Sequence, residues 1–176
     1  RARSMSETRA ARRSLVTAFA AAFAVRAVAG SIVNAPSGAQ RGFNFYGTMA
    51  DNLLAGRGLC WTFYEGLGDK WANRGPLYPL FLAAVRWLAG RESVIPVVIA
   101  QAALGALACA VPMALAARWG GARAAVAAVW IAALWPYSVV ADTGLVEHVV
   151  YAPFAGLAVL FALRAADGGS PVRGLA

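Results

Sequence analysis

An all-α polytopic membrane bundle, with an amphipathic interfacial helix in its first outer loop, is predicted by three observations. Hydrophobic residues make up 60% of the 176 and charged residues only 14%, against about 45–50% and about 25% in soluble globular domains. Mean hydropathy is +0.60. Four apolar stretches, 14–33, 94–117, 124–140 and 145–163, approach or exceed the ~20 residues a helix needs to cross a hydrocarbon core, and a fifth, 76–90, is marginal. Between the first stretch and the others lies a wet, aromatic-rich loop over 34–75.

Residues 1–13 form a basic cytoplasmic N-terminus. Arg1, Arg3, Arg9, Arg12 and Arg13 lead into an apolar run too long for a signal-peptide core, so 14–33 reads as a retained first span. Arg26 lies inside that span, where it either pairs with a carboxylate in the bundle or snorkels to the surface. Within the loop, 43–55 reads as a helix along the membrane interface. Phe43, Tyr46, Gly47, Ala50 and Leu54 share one side, Asn44, Thr48 and Asp51 another, and Gly56 and Gly58 supply the stop. The following LCWTFYEGLGDKWANRGP combines belt-type aromatic residues with turns at Gly66, Gly68 and Gly75.

Charge leaves two topologies open. With the N-terminus inside, the loop is outside, and its near balance of Arg41, Arg57, Lys70 and Arg74 with Asp51, Glu65 and Asp69 suits that side. If 76–90 crosses fully, the RWGGAR turn at 118–123 falls outside, against the positive-inside rule. If 76–90 is short, re-entrant or tilted, the turn falls inside and 142–147 returns to the outer face. The second arrangement is preferred. Pro96, Pro112, Pro136 and Pro153 suggest kinks, tolerated where neighbours satisfy the freed carbonyls.

Glu147 and His148 stand near the start of the last stretch, where an ionised group costs less than the ~2.5–3.5 kcal/mol of the span centre and the helix dipole favours a carboxylate. Glu147 either faces the cavity of the outer loop or sits at the interface beside a neutral His148. The chain opens on Arg1 and closes, over 164–176, on a polar tail just past a span, so it reads as a piece of a longer protein.

The formal charge of +8 does not point to nucleic acid. Of the 16 cations 15 are arginine, clustered at the N-terminus and at helix junctions such as Arg86/Arg91 and Arg118/Arg123, a pattern that sets orientation in a membrane. Cys60 lies in the loop and Cys109 mid-span, so no disulfide is expected between them. With His148 the sole histidine and no CxxC, no metal-ligand spacing is present.

One ordered set of motifs resembles a family. A basic start and a first span with Arg26 are followed by Tyr46-x3-Ala50-x2-Leu53-Leu54-x-Gly56-x-Gly58, and then by Arg74-Gly75-Pro76-Leu77-Tyr78-Pro79-Leu80-Phe81-Leu82-Ala83. Further on come two apolar helices joined by an Arg-Gly-Arg turn, an Ala-Leu-x-Pro break and Leu145-x-Glu147. Together these resemble the N-terminal part of the C-type-fold (GT-C) membrane glycosyltransferases, closest to glycosyltransferase family 39, the protein mannosyltransferase and lipid A aminoarabinose transferase group. The similarity covers most of 15–164.

The resemblance implies a polyprenyl-phosphate-linked sugar donor presented from the lipids of the inner (plasma) membrane to an acceptor glycan, lipid or protein on its outer face. It also implies a loop carboxylate as general base or metal-linked acid, so that a divalent metal is possible, and a basic residue holding the donor phosphate. An attacking hydroxyl must lose its proton, and a departing phosphate needs cations or donors for its developing charge. Arg74, just before Pro76, is the phosphate candidate, since a guanidinium presents several donors to phosphate oxygens. It would otherwise be an interfacial anchor. Tyr46, Tyr78, Asn44 and Glu147 complete the substrate-binding candidates.

The chain departs from the family where the catalytic Asp is expected, four residues before Tyr46, because Gly42 stands there. Asp51 serves instead, or the alignment is shifted and the base is Glu65 or Asp69, or the protein is a member without this activity. A non-catalytic transporter, scaffold subunit or partner-binding membrane protein is the competing class. The inverted repeats that would mark a transporter are not evident in the sequence.

Overall fold

The computed structural model describes residues 2–34, 44–61, 70–71, 75–90, 94–144 and 147–166. Among these described residues seven helices carry the fold: α1 Ala2–Asn34, α2 Asn44–Leu54, α3 Leu77–Ala89, α4 Ile95–Ala108, α5 Ala110–Leu134, α6 Pro136–Thr143 and α7 His148–Ala166. One feature was not expected in an all-helical chain. Two-residue strands, β1 Cys60–Trp61 and β2 Lys70–Trp71, pair antiparallel in the loop with Cys60 opposite Trp71.

The helix ends depart from the expected spans where proline removes a backbone donor. Pro112 cannot donate to the carbonyl of Ala108, and α4 ends at Ala108. Pro136 cannot donate to Ala132, Trp135 turns extended (ψ 113°) as a residue before proline does, and α5 gives way to α6. The expected helices 94–117 and 124–140 are thus divided at Cys109 and Trp135. Pro96 lies in the first turn of α4, where its missing donor is not needed.

The longest apolar stretch, Ile95–Leu134, has 40 residues. As one straight helix it would be ~60 Å long, twice the ~30 Å of a hydrocarbon core. It is not straight. Gly121, with φ 70° and ψ −165°, takes a conformation that glycine adopts without a steric penalty, and the chain doubles back there. Cys109 and Ala133, equally far in sequence from this turn, meet in one apolar cluster with Ala18, Ala22, Ala106 and Val129.

Contacts along α1 give the directions of its neighbours. Gly30 lies against Val98 and Arg26 against Gly105, so α4 runs antiparallel to α1. Ser14 accepts from Trp130, Arg26 reaches Ala133 and Asn34 reaches Thr143, so the returning half of α5 and then α6 run parallel to it. Helix α7 runs back, with Val149 and Val150 in the same cluster as Val97 of α4 and Gly156 beside Val111 of α5.

One end of the bundle therefore holds Arg13, the RWGGAR turn and Arg164, while α2, α3 and the starts of α4 and α7 gather at the other. Because α1 ends and α4 begins at the same end, α3 does not traverse the bundle. Its 13 residues span only ~20 Å.

Among the described residues three stretches are long and apolar enough to cross a membrane: Arg13–Asn34, Ile95–Leu134 and His148–Ala166. Their outward faces carry Val28, Ile32, Ile99, Leu107, Ile131 and Phe154, all well exposed. A soluble monomer does not display apolar surface on this scale, whereas a bundle in lipid does. The amphipathic pattern of α2 is seen in part: Tyr46, Gly47 and Ala50 are buried and Thr48 is exposed, but Met49 and Asn52 are buried too.

Candidate functional site

At the loop end, α2 and α3 pack through the two tyrosines. Their rings meet edge to face at 5.1 Å, and Tyr78 also stacks on Phe81 at 5.9 Å. The Tyr78 hydroxyl donates to Gln101 Oε1 at 3.3 Å, and Gln101 Nε2 donates to the Gly144 carbonyl at 2.8 Å, which ties α3 through α4 to the end of α6. Both tyrosines are core residues, clustered with Ala50, Leu82, Val97, Val149 and Val150. They present no open surface to a bound molecule.

Asp51 is drawn inward by a residue that the charge pattern alone assigns to orientation. Arg86, on the inner face of α3, is buried; its Nη1 donates to the Gly47 carbonyl at 2.9 Å and stands 3.0 Å from Asp51 Oδ1. The ion pair lies off the hydrogen-bond direction, so Oδ1 is a buried acceptor without a hydrogen bond. The Asp51 side chain as a whole remains 44% exposed. It is a carboxylate placed by a fixed cation and still reachable from outside.

The chain after α2 is fastened to the same helix. Arg57 donates twice to Asn52 Oδ1, at 3.0 and 2.6 Å, while Asn52 Nδ2 donates to the Cys60 carbonyl at 2.7 Å. Gly56 and Gly58 both have positive φ, 75° and 83°, at the expected helix stop, and the chain then passes into β1. Gly75 abuts the Tyr151 hydroxyl, so the residue after Arg74 lies against the first turns of α7. Glu147 precedes that helix, its carbonyl accepting from Val150 and Tyr151, and its Oε2 is buried without a hydrogen-bond partner. Glu65, Asp69, Arg74 and the family position Gly42 lie outside the described residues, as does the side chain of Asn44.

A second polar centre lies near the middle of the bundle. Arg26 is 2% exposed, and each of its five N–H donors has a partner. Nε donates to Asp142 Oδ2 at 2.7 Å; Nη1 to the carbonyls of Ala22 and Ala133 at 3.2 and 2.9 Å; Nη2 to the Ala132 carbonyl at 3.3 Å and to Ser138 Oγ at 2.9 Å. The cause is local. Pro136 and the extended Trp135 leave the carbonyls of Ala132 and Ala133 without helical donors, and the guanidinium supplies them. Of the two readings of Arg26, pairing within the bundle holds, with Asp142 as partner.

Beside this pair opens a cavity of about 430 Å³, walled mainly by small and apolar residues such as Ala108, Pro112, Ala128 and Ile131. Its volume is in the range of small-molecule pockets. Gly105 is what lets Arg26 and Asp142 meet, since a Cβ there would come within 2.8 Å of Arg26 Nε and 2.5 Å of Asp142 Oδ2. Gly105→Ala is therefore expected to destabilise the bundle by about 1–3 kcal/mol, as overpacking does. A lowered midpoint of thermal unfolding in detergent checks it.

Arg86 and Asp142 are residues that the sequence motifs do not single out. A signal existed for each: an Arg in an apolar span needs an acceptor, and Asp142 is one of the few carboxylates near a span, while Arg86 falls in helical register with Tyr78 and Leu82. Among the described residues no three His, Cys, Asp or Glu side chains come together to hold a metal ion. No known family, curated protein or solved structure matches the chain.

Proposed function

We propose that the chain belongs to a membrane glycosyltransferase that moves a sugar from a polyprenyl-phosphate-linked donor to an acceptor on the outer face of the plasma membrane. The observation that carries this reading is the half-exposed Asp51 carboxylate, set 3.0 Å from the buried Arg86 at the loop end of the bundle. By the positive-inside rule the opposite end, with Arg13, Arg118, Arg123 and Arg164, faces the cytoplasm. The loop end then lies on the outer face, with α2 along the interface and its Thr48 and Asp51 turned to water.

In this role Asp51 takes the proton of the acceptor hydroxyl as its oxygen attacks the anomeric carbon, the bond from that carbon to the phosphate oxygen breaks, and the polyprenyl phosphate departs. Arg86 is a positioning residue, holding Asp51 and the α2 backbone in one place. Arg74 supplies donors to the leaving phosphate. The test is transfer from a radiolabelled polyprenyl-phosphate sugar pool by the protein in membranes. Arg74→Ala is expected to abolish most of the transfer while membrane insertion stays normal; a well-inserted parent that consumes no donor sinks the reading.

One observation favours a non-catalytic polytopic protein, whether transporter, scaffold subunit or inactive family member. The Asp51–Arg86 pair joins α2 to α3 and would have a structural use without any substrate. That account requires neither Arg74 nor the loop carboxylates for function, so variants at both positions would behave as the parent does.

A further inference from the structure

Helix α3 is amphipathic in the reverse of the soluble sense. Its inward face holds Tyr78, Leu82, Ala83 and its one charge, Arg86. Its outward face carries Leu80, Ala84, Trp87 and Leu88, spaced i, i+4, i+7 and i+8, with Trp87 and Leu88 75% and 77% exposed. In water a lone cation would turn outward and the tryptophan inward. At ~20 Å the helix is too short to cross a hydrocarbon core of ~30 Å, and the chain enters and leaves it at one end of the bundle.

We propose that α3 is the element by which the loop end docks on the membrane, with Leu80, Ala84, Trp87 and Leu88 sunk into the acyl boundary of the outer leaflet and α2 resting on its upper side. The occupant is lipid. Five residues in sequence separate α3 from the apolar stretch Ile95–Leu134, which is long and apolar enough to cross a membrane and whose Ile95 and Ile99 are exposed as well. A tryptophan at this level has the amphipathic ring that favours the interface. Among its described side chains helix α2 has no such stripe: between Tyr46 and Asn52 only Thr48 is exposed and Asp51 is partly so. The inference holds whether or not the protein transfers sugar.

The experiment reconstitutes the protein in phosphatidylcholine and phosphatidylglycerol vesicles, with an environment-sensitive fluorophore on Leu88→Cys, on Leu80→Cys, or on Thr48→Cys. The buried Cys60 and Cys109 are controlled for by labelling the unsubstituted protein. Nitroxide on the lipid acyl chains is expected to quench the labels at 88 and 80 several-fold more than the label at 48, and aqueous iodide to show the opposite order. Iodide quenching at 88 and 80 overturns the proposal in favour of an exposed helix. Protection of both positions from both quenchers overturns it in favour of a protein partner. The two stripe positions serve as independent variants, and retained helicity shows that each has folded.

Discussion

Replacing Arg26 by leucine is expected to destabilise the bundle by about 3–5 kcal/mol, the range for removing one partner of a buried ion pair. Two losses add. Asp142 is left as a carboxylate in an apolar interior, and the carbonyls of Ala132 and Ala133, already without helical donors at the Pro136 break, lose the guanidinium that served them. Leucine approximates the volume and removes every donor. The measurement is unfolding in mixed micelles with increasing denaturing detergent, or the midpoint of thermal aggregation. Asp142→Leu in the same background should recover part of the loss, since it removes the stranded charge but does not restore the lost donors, the Ala132 carbonyl keeping only Ser138 Oγ at 3.4 Å. A double variant no more stable than Arg26→Leu would mean that carbonyl capping, and not charge pairing, dominates. An Arg26→Leu protein as stable as the parent would contradict the buried network altogether.

Sugar transfer by Asp51→Asn is expected to fall by about 10²–10⁴-fold, the contribution of a positioned general base. The substitution keeps the shape of the side chain and removes the basic oxygen. The Asp51–Arg86 pair is partly exposed on the aspartate side, and pairs of that kind contribute about 0–1 kcal/mol, so the fold should survive and the unfolding midpoint should move little. The decisive comparison is kcat against KM for the donor: loss of a base lowers kcat and leaves donor KM in place. If transfer instead falls only as far as stability does, Asp51 is a latch between α2 and α3. If transfer is unchanged, the base lies elsewhere in the loop, and Glu65 and Asp69 become the positions to substitute.

Much of the architecture was legible in the residues because membrane helices obey strict local rules. Apolar run length marks the spans, and proline and glycine mark their breaks. The sharp reversal at Gly121 sits inside the expected turn, and the α2 stop falls at Gly56 and Gly58. What misled was the assumption that a cation beside a helix end serves orientation. Arg86 was paired with Arg91 as a boundary marker, yet it lies on the inner face of α3, because the other face of that helix is apolar and turns away from the bundle. Tyr46 and Tyr78 were read as ligand contacts from their position in a motif; their rings fill the α2–α3 core, a use that aromatic residue type alone does not separate from binding.

The sequence by itself determined the solvent, the helical class, the break at Pro136 and the need of Arg26 for acceptors, since each follows from composition or from backbone donors counted along a single segment. Only the tertiary structure decided which acceptor Arg26 finds, which carboxylate Arg86 holds, and that α3 begins and ends on one side of the bundle. Those facts join residues 35 to 116 positions apart, Asp51 to Arg86 and Arg26 to Asp142. No local pattern encodes such pairings; they are set by how helices of nearly uniform apolar surface pack, and that is fixed by small residues such as Gly30 and Gly105 admitting a neighbour where any larger side chain would hold it off.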